Sequence, residues 1–316
     1  MVAKVFIDGA AGTTGLEIRE RLAGRSDLEL VQLSDSERKD LRARRGALNG
    51  SDMVILCLPD EAAREAVELI EADGVRVIDA STAHRTAPGW TYGFPEMDLA
   101  QRRRIAESRR VSNPGCYPTG FLALVRPLVR EGIVPAEFPL TVNAVSGYSG
   151  GGKAMIEEFE AKTSPRHVDT VVRTYALALA HKHVPEMQAH AGLAHPPVFA
   201  PSVGRYYRGM IVEVPLQLWA LPGRPCVADL HAALARAYAG EKLVEVASFP
   251  EGVAIANLDA EMLKLTNGMK LFVFGNDKTR QARLIAVLDN LGKGAGGAAV
   301  QNLNIMLGLA ETTGLL

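Results

Sequence analysis

The chain has 316 residues, a formal net charge of −1 at pH 7, 47% hydrophobic and 22% charged residues. That length suits two domains and that composition an ordinary soluble globular protein, with no charge excess to suggest a nucleic acid or an anionic membrane as partner. Cys57, Cys116 and Cys226 lack paired spacing, which argues against a disulfide framework or a cysteine-based metal site and fits a reducing cytoplasm. No apolar signal region precedes the first strand pattern, and no stretch approaches a membrane-spanning length.

In chain order, residues 2–7 read as a short apolar strand. Gly9-Ala10-Ala11-Gly12-Thr13-Thr14-Gly15 follows, then a helix from about Leu16. A strand, a glycine-rich turn and a helix make a dinucleotide-binding beginning: glycines admit the pyrophosphate to the backbone, and the helix N-terminus receives its charge. The spacing is Gly-x-x-Gly-x-x-Gly rather than the commoner G-x-G-x-x-G. Strands are expected at 28–33, 53–58 and 75–80, alternating with helices at 61–72 and 99–108. Such alternation implies a parallel, doubly wound sheet whose ligands collect beyond the carboxyl ends of its strands. Gly9, Pro59, Ser81 and Cys116 fall there and should line one crevice.

The ribose 2′-position is expected at the end of the second strand. Asp35 could accept a 2′-hydroxyl, which suits NAD, whereas Ser34 with Arg38 or Lys39 could bind a 2′-phosphate, which suits NADP. The local residues leave both open. The basic runs Arg42-Ala43-Arg44-Arg45 and Arg102-Arg103-Arg104 read as solvated helix faces.

Ser112-Asn113-Pro114-Gly115-Cys116-Tyr117-Pro118-Thr119-Gly120 is the most informative run. Asn-Pro-Gly makes a turn, and the apolar segment after it reads as a helix, so the thiol is expected at a helix N-terminus that favours a thiolate. Cys57 lies in a buried-strand pattern and reads as inert core.

Beyond this helix the texture changes. Residues 140–146, 203–214 and 270–274 read as strands, residues 153–162, 227–238 and 280–291 as helices. An α+β domain with a mixed or antiparallel sheet is expected, with a final helix at 298–309 returning to the nucleotide domain. The expected division is 1–115 with 295–316, and 116–294.

Three further clusters carry chemistry. Ala180-His181-Lys182-His183-Val184-Pro185-Glu186, ended by a proline, does not suit a regular core helix. Its imidazoles suit acid/base work, and no third ligand points to a metal. Ser146-Gly147-Tyr148-Ser149-Gly150-Gly151-Gly152-Lys153 offers amides, hydroxyls and a lysine for a phosphate but lacks P-loop spacing. In Asp79-Ala80-Ser81-Thr82-Ala83-His84-Arg85, Arg85 could take a carboxylate in bidentate fashion.

Together these runs, with Gly294 to Asn302, resemble the N-acetyl-γ-glutamyl-phosphate reductases within the aspartate-semialdehyde-dehydrogenase-like superfamily, in a compact subgroup, over the length of the chain. The resemblance implies a Rossmann-type NADP(H)-binding domain and a catalytic, oligomerising α+β domain. It implies arginine-biosynthetic reduction of an acyl phosphate through a thioester on Cys116. His183 is then the acid/base, with His181 second, Glu186 orienting, and Asn113 beside the backbone amides at the oxyanion. Arg85, Ser146, Gly147 and Ser149 would hold substrate, and Asn302 would approach the nicotinamide. A cytoplasmic homodimer or tetramer is expected. The rival readings are aspartate-semialdehyde or acetyl-aminoadipyl-phosphate chemistry, a non-catalytic NADP sensor, and a cofactor-free cysteine hydrolase.

Overall fold

The computed structural model describes residues 2–34, 36–249 and 255–315. The chain forms two compact units: Met1–Pro95 with Leu99–Pro114 and Ala295–Leu316, and Glu96–Asp98 with Gly115–Gly294.

The first unit is built on six parallel strands. They are β1 (Ala3–Asp8), β2 (Leu28–Val31), β3 (Met53–Leu56), β4 (Arg76–Asp79), β5 (Thr91–Tyr92) and β6 (Arg110–Ser112), in the order β2-β1-β3-β4-β6-β5. Helices α1 (Thr13–Leu22), α2 (Leu41–Asn49), α3 (Asp60–Glu68) and α4 (Gln101–Glu107) alternate with them. β3 is buried at every residue, as a central parallel strand covered on both faces must be. Arg44 departs from the solvated face expected of α2, since its Nε donates to Asp8 Oδ2 at 2.7 Å, at the end of β1.

The second unit carries a mixed seven-stranded sheet. Its strands are β7 (Thr141–Gly147), β8 (Val172–Thr174), β9 (Val198–Gly204), β10 (Met210–Gln217), β11 (Val244–Val246), β12 (Met269–Asn276) and β13 (Gln281–Leu288), in the order β11-β12-β13-β10-β7-β9-β8. Helices α5 (Cys116–Arg130), α6 (Gly152–Glu160), α7 (Val184–Ala191) and α8 (Val227–Ala237) accompany them, and α9 (Gly297–Met306) returns to the first unit.

Two expectations need correction. The segment 280–291, expected as a helix, is mostly strand β13. Its apolar residues satisfy helical spacing, but the 277–280 turn pairs it with β12 in an antiparallel hairpin. There Asn276 Oδ1 accepts from Lys278 N at 2.9 Å, and Arg280 has φ 54°. The expected strand 203–214 is two strands, broken where Gly209 takes φ 107°. A side chain at Gly209 would meet the backbone of Ala260 and Glu261.

Helix α5 is the spine of the second unit. Gly120 lets it approach the sheet closely, since a Cβ there would stand 2.9 Å from Val212 Cγ2. Pro127 cannot donate to the carbonyl of Ala123, and the Tyr238 hydroxyl donates to that oxygen instead, at 2.9 Å. The excursion Glu96–Asp98 belongs with this unit through two ion pairs. Lys293 Nζ lies 2.8 Å from both Glu96 oxygens, all of them buried, and Arg126 Nη2 lies 3.5 Å from Asp98.

Candidate active site

In the first unit the glycine turn is shaped by close approach. Gly9 has φ 86°, and a Cβ there would strike the carbonyl of Cys57. A Cβ on Gly15 would meet Gly9 O at 2.5 Å and Ala10 Cα at 2.8 Å. Gly12, the N-cap of α1, supplies no capping side chain, so the helix opens at Thr13 with Thr14 in its first turn and amide donors left for an anion. Ala10 lies with Gly9 in a cleft that reaches the end of β2. Ala11 completes the turn.

Pro59 is the N-cap of α3. Ser81 is held by Asp79, whose Oδ2 accepts from Ser81 Oγ at 2.7 Å and lies 2.6 Å from His84 Nδ1. Gly9, Pro59 and Ser81 all follow ends of parallel strands in this unit, whereas Cys116 belongs to the second. Asp35 lies outside the described residues. Burial, with Asp79 and Asp8 nearby, pushes the Cys57 thiol up to about 12, so it is protonated.

Asn302 ties the end of this unit together. Its Nδ2 donates to Gly93 O at 2.9 Å and to Asn113 Oδ1 at 3.1 Å, and Asn113 Nδ2 donates to Ala295 O at 3.0 Å. Arg85 is buried, with Nε on the Asn113 carbonyl at 3.0 Å and Nη2 on that of Ala80 at 3.1 Å. It therefore braces the loop that carries Asn113. Among the described residues, Thr13 Oγ1, Ser112 Oγ and Asn302 Oδ1 are buried without hydrogen-bond partners. A dinucleotide fits them: hydroxyls suit phosphate or ribose oxygens, and an amide oxygen suits the carboxamide of a nicotinamide.

In the second unit Cys116 opens α5, with Gly115 as N-cap. Pro118, third in the helix, contributes no N–H, so the donors of the first turn come from Cys116 and Tyr117. Glu186, buried in the first turn of α7, accepts from Gly115 N at 2.8 Å. Pro185 does not end a segment as the sequence suggested. It opens α7, where its fixed φ suits a first turn, and His183 is the N-cap.

His181 and His183 lie 4.7 Å apart between ring centroids, and Tyr117 lies 6.1 Å from the first and 5.8 Å from the second. His181 Nδ1 accepts from His183 N at 3.1 Å, which leaves the proton of its neutral ring on Nε2. Burial, then the Lys182 charge, lowers the His181 pKa to about 4, so the ring is neutral at physiological pH.

Tyr175 donates its hydroxyl to that of Tyr117 at 3.0 Å. Burial pushes Tyr175 up to about 12, with the Tyr117 hydrogen bond opposing and a charge on Cys116 adding. Tyr117 is held well above the usual phenol range by burial, then by Tyr175 and Cys116. Both phenols thus remain donors near the thiol.

Ser146 Oγ donates to Gly147 O at 3.1 Å. A Cβ on Gly147 would meet Tyr207 O at 2.5 Å, so only glycine lets these backbones pass. Ser149 Oγ accepts from Asn290 Nδ2 at 2.9 Å, and Asn290 Oδ1 accepts from Gly209 N at 2.8 Å. Buried Arg208 reaches Asp289 Oδ2 at 3.5 Å.

The second unit therefore carries Cys116, His181, His183, Glu186, Ser146, Gly147 and Ser149, and the first carries Arg85, Asn113 and Asn302. Tyr175, Asn290, Arg208 and the Lys293–Glu96 pair were not singled out from sequence. Only the lysine beside the glycines at 292, 294 and 296 offered a signal. Among the described residues no cluster of histidine, cysteine or carboxylate side chains suits a metal, and no helix is long and apolar enough to cross a membrane.

A dinucleotide-type parallel unit followed by a mixed-sheet unit with a cysteine at its first helical position defines a dehydrogenase of the semialdehyde class. Family models described as "Semialdehyde dehydrogenase, NAD binding domain" and "Semialdehyde dehydrogenase, dimerisation domain" match residues 4–106 and 116–290. A probable aspartate-semialdehyde dehydrogenase from Pseudomonas aeruginosa shares the fold at TM-score 0.74 and 18% identity, over 97% of this chain and 99% of that one. The enzyme II structure from Vibrio cholerae complexed with ASA does so at 0.70 and 15%, over 97% and 98%.

N-acetyl-gamma-glutamyl-phosphate reductase 2 of Nostoc sp. is 55% identical over 99% of both chains. The reductase of Brucella anthropi is 54% identical over 98% of this chain and 99% of its own. The chain belongs to the N-acetyl-gamma-glutamyl-phosphate reductase family.

Proposed function

We propose that this chain catalyses the NADPH-dependent reductive dephosphorylation of N-acetyl-γ-glutamyl phosphate to N-acetylglutamate 5-semialdehyde, a step of arginine biosynthesis. The observation that carries this reading is the thiol at the first position of α5, grouped with a histidine pair and two protonated phenols. The aspartate-semialdehyde alternative has only a shared fold behind it, at 15–18% identity in these two structures.

The Cys116 thiolate attacks the acyl carbon, the carbon–oxygen bond to phosphate breaks, and a thioester forms. The backbone amides of Cys116 and Tyr117, with the Tyr117–Tyr175 hydroxyls, bear on the developing oxyanion. NADPH, when bound by the residues named below, would supply the hydride that reduces this thioester. His183 gives a proton to the resulting oxygen and takes it back as the carbon–sulfur bond breaks, which releases the aldehyde and restores the thiolate.

Neutral His181 supports His183 through its backbone N–H, and Glu186 fixes the turn before the thiol through Gly115. Ser146, Gly147 and Ser149 receive the acetylated substrate. Arg85 and Asn113 position the loop that leads into Cys116. Gly9 to Gly15, Ser34, Arg38, Pro59, Ser81 and Asn302 hold NADP(H).

In this reading residues 1–115 with 295–316 serve the cofactor. Residues 116–294 serve catalysis and self-association, as a dimer or tetramer in the cytoplasm.

The test supplies N-acetylglutamate semialdehyde, phosphate and NADP⁺ and follows reduced cofactor by absorbance. Turnover is expected, and Cys116→Ala should abolish it while NADP⁺ affinity stays within about twofold, since the thiol acts by covalent chemistry. Absence of reduced cofactor sinks the proposal, and turnover retained by Cys116→Ala removes the thioester from it.

A further inference from the structure

Lys293 and Glu96 are buried charges of the second unit, and the proposed reaction uses neither. Lys293 Nζ donates to both Glu96 oxygens at 2.8 Å. Opposite charges taken out of water gain little stability over an apolar pair of the same volume. The surroundings of this pair supply a different reason for it.

Lys293 stands between two glycines in the π-helical turn Gly292–Gly296, a form found mostly at functional positions. A Cβ at Gly292 would strike the carbonyl oxygen of Thr266, and one at Gly294 would stand 2.8 Å from Cys116 Cβ. The turn therefore packs bare backbone on Thr266 and on the residue that bears the thiol. Asp289 fastens its start: Oδ1 accepts from Leu291 N at 2.8 Å and from Gly292 N at 3.2 Å. The Lys293 side chain anchors its middle, on Glu96.

Glu96 is in turn tied to α5, the helix that Cys116 opens. Two residues on, Asp98 lies 3.5 Å from Arg126 Nη2 of that helix. Burial, then the Glu96 charge, holds the Tyr238 phenol well above its ordinary range, and its hydroxyl donates to Ala123 O of the same helix at 2.9 Å. The pair thus links the turn that backs the thiol to the helix that carries it. With both Glu96 oxygens on Nζ, the lysine charge is balanced where it stands, so the pair acts on Cys116 by position rather than by field.

We propose that Lys293 is a positioning residue for the nucleophile: its ion pair with Glu96 holds Gly294 against Cys116 and so fixes the direction of the thiol. This rests on the thioester reading above, since a reacting thiol is what needs its direction fixed.

The test uses the whole chain in two forms. Lys293→Met with Glu96→Gln removes both charges together, and Glu96→Asp keeps both while shortening the acidic arm. Each is read by steady-state kinetics and by the rate at which iodoacetamide alkylates Cys116 at high pH, with Cys116→Ala as the blank for the other thiols. In the double variant kcat should fall roughly 10- to 100-fold, and in Glu96→Asp about 3- to 10-fold, with KM within about twofold in both. Alkylation should quicken at least about threefold, because a thiol released from the turn is easier to approach.

A double variant whose kcat stays within about twofold of the wild type, or an unmoved alkylation rate, would overturn the assignment. If the double variant does not fold, Glu96→Asp decides by the same two limits. Alkylation needs no turnover, so a chain inactive on the acyl phosphate whose variants alkylate faster would refute the proposed reaction and still show the turn holding the thiol. An active chain whose variants alkylate as the wild type does would do the reverse.

Discussion

Gly294→Ala is the sharpest test of how the thiol is placed. Gly294 lies in the π-helical turn Gly292–Gly296, and a Cβ there would stand 2.8 Å from Cys116 Cβ, 3.3 Å from Cys116 Cα and 3.2 Å from Asp289 O. Carbon atoms pack at about 3.5–4.0 Å, so something must yield by at least ~0.7 Å. The turn is held on two sides: Gly294 N donates to Asp289 O at 3.0 Å, and the neighbouring Lys293 is paired with Glu96. Cys116 should therefore move.

A misplacement of ~1 Å at a reacting group costs about 100-fold in rate, which puts the expected fall in kcat at roughly 10- to 100-fold. Overpacking should also destabilise by about 1–3 kcal/mol, or ~2–12 °C in Tm. Gly120→Ala is the control, because its Cβ would meet the Val212 side chain at 2.9 Å in the same helix, against the sheet. It should lower Tm comparably and kcat much less. Steady-state kinetics beside thermal melts separate the two effects. If Gly294→Ala melts early and keeps its kcat within about twofold, the turn does not set the position of the thiol.

Three further outcomes are expected. His183→Asn should lower kcat by about 10²- to 10⁴-fold, and His181→Asn less, so a larger loss at His181 would exchange their roles. Lys293→Met removes the buried cation paired with Glu96 and should cost about 3–5 kcal/mol in urea melts, with much of it recovered when Glu96→Gln is added; a double variant no better than the single denies the pairing. The third concerns pH. His181 has a folded pKa of about 4 against an ordinary 6.5, so between those values the unfolded chain binds the extra proton. Stability should thus be full above pH 6.5 and fall as pH drops toward 4. His181→Gln should flatten part of that fall, and a denaturation midpoint with the same pH slope in both proteins would refute it.

The first unit was legible because its strands are short apolar runs separated by turn residues, and because Gly9 marks a backbone approach that no side chain allows. The second was read less well for specific reasons. Residues 282–288 carry apolar side chains at both helical and strand spacing, and pairing with β12, a tertiary event, decides between them. Pro185 was read as an end because proline breaks helices, although in a first turn it starts one.

Short motifs brought Cys116, His181, His183 and Glu186 forward because their chemistry is local. Asn290, Arg208 and Tyr175 were silent for the opposite reason. Each matters only through partners far away in sequence, as Asn290 does through Ser149, 141 residues earlier. Glu186 was picked as an orienting group, and its partner Gly115, 71 residues away, is a backbone N–H that no sequence pattern announces.

The proposed nucleophile and the histidine that supports its proton partner stand on different kinds of backbone. Cys116 belongs to a helix with almost every residue from Tyr117 to Leu128 buried. His181 ends a strap in which Ala176 and Leu179 hold φ of 54° and 58°, left-handed values that cost a non-glycine residue ~1–2 kcal/mol. Leu179 N donates to Ala176 O at 3.0 Å, which closes the strap between Tyr175 and His181. The Leu179 side chain is 58% exposed, so its own burial does not account for the left-handed backbone.

Leu179→Gly tests this directly. Relief of the left-handed strain is offset by the ~0.5–1 kcal/mol of added chain entropy that glycine loses on folding, so Tm should shift by only a few degrees. A looser strap should nonetheless let Tyr175 and His181 drift from Tyr117 and His183, and kcat should fall about tenfold. A variant with unchanged kcat would mean that the histidine pair is positioned from α7 alone and that the strained strap is dispensable.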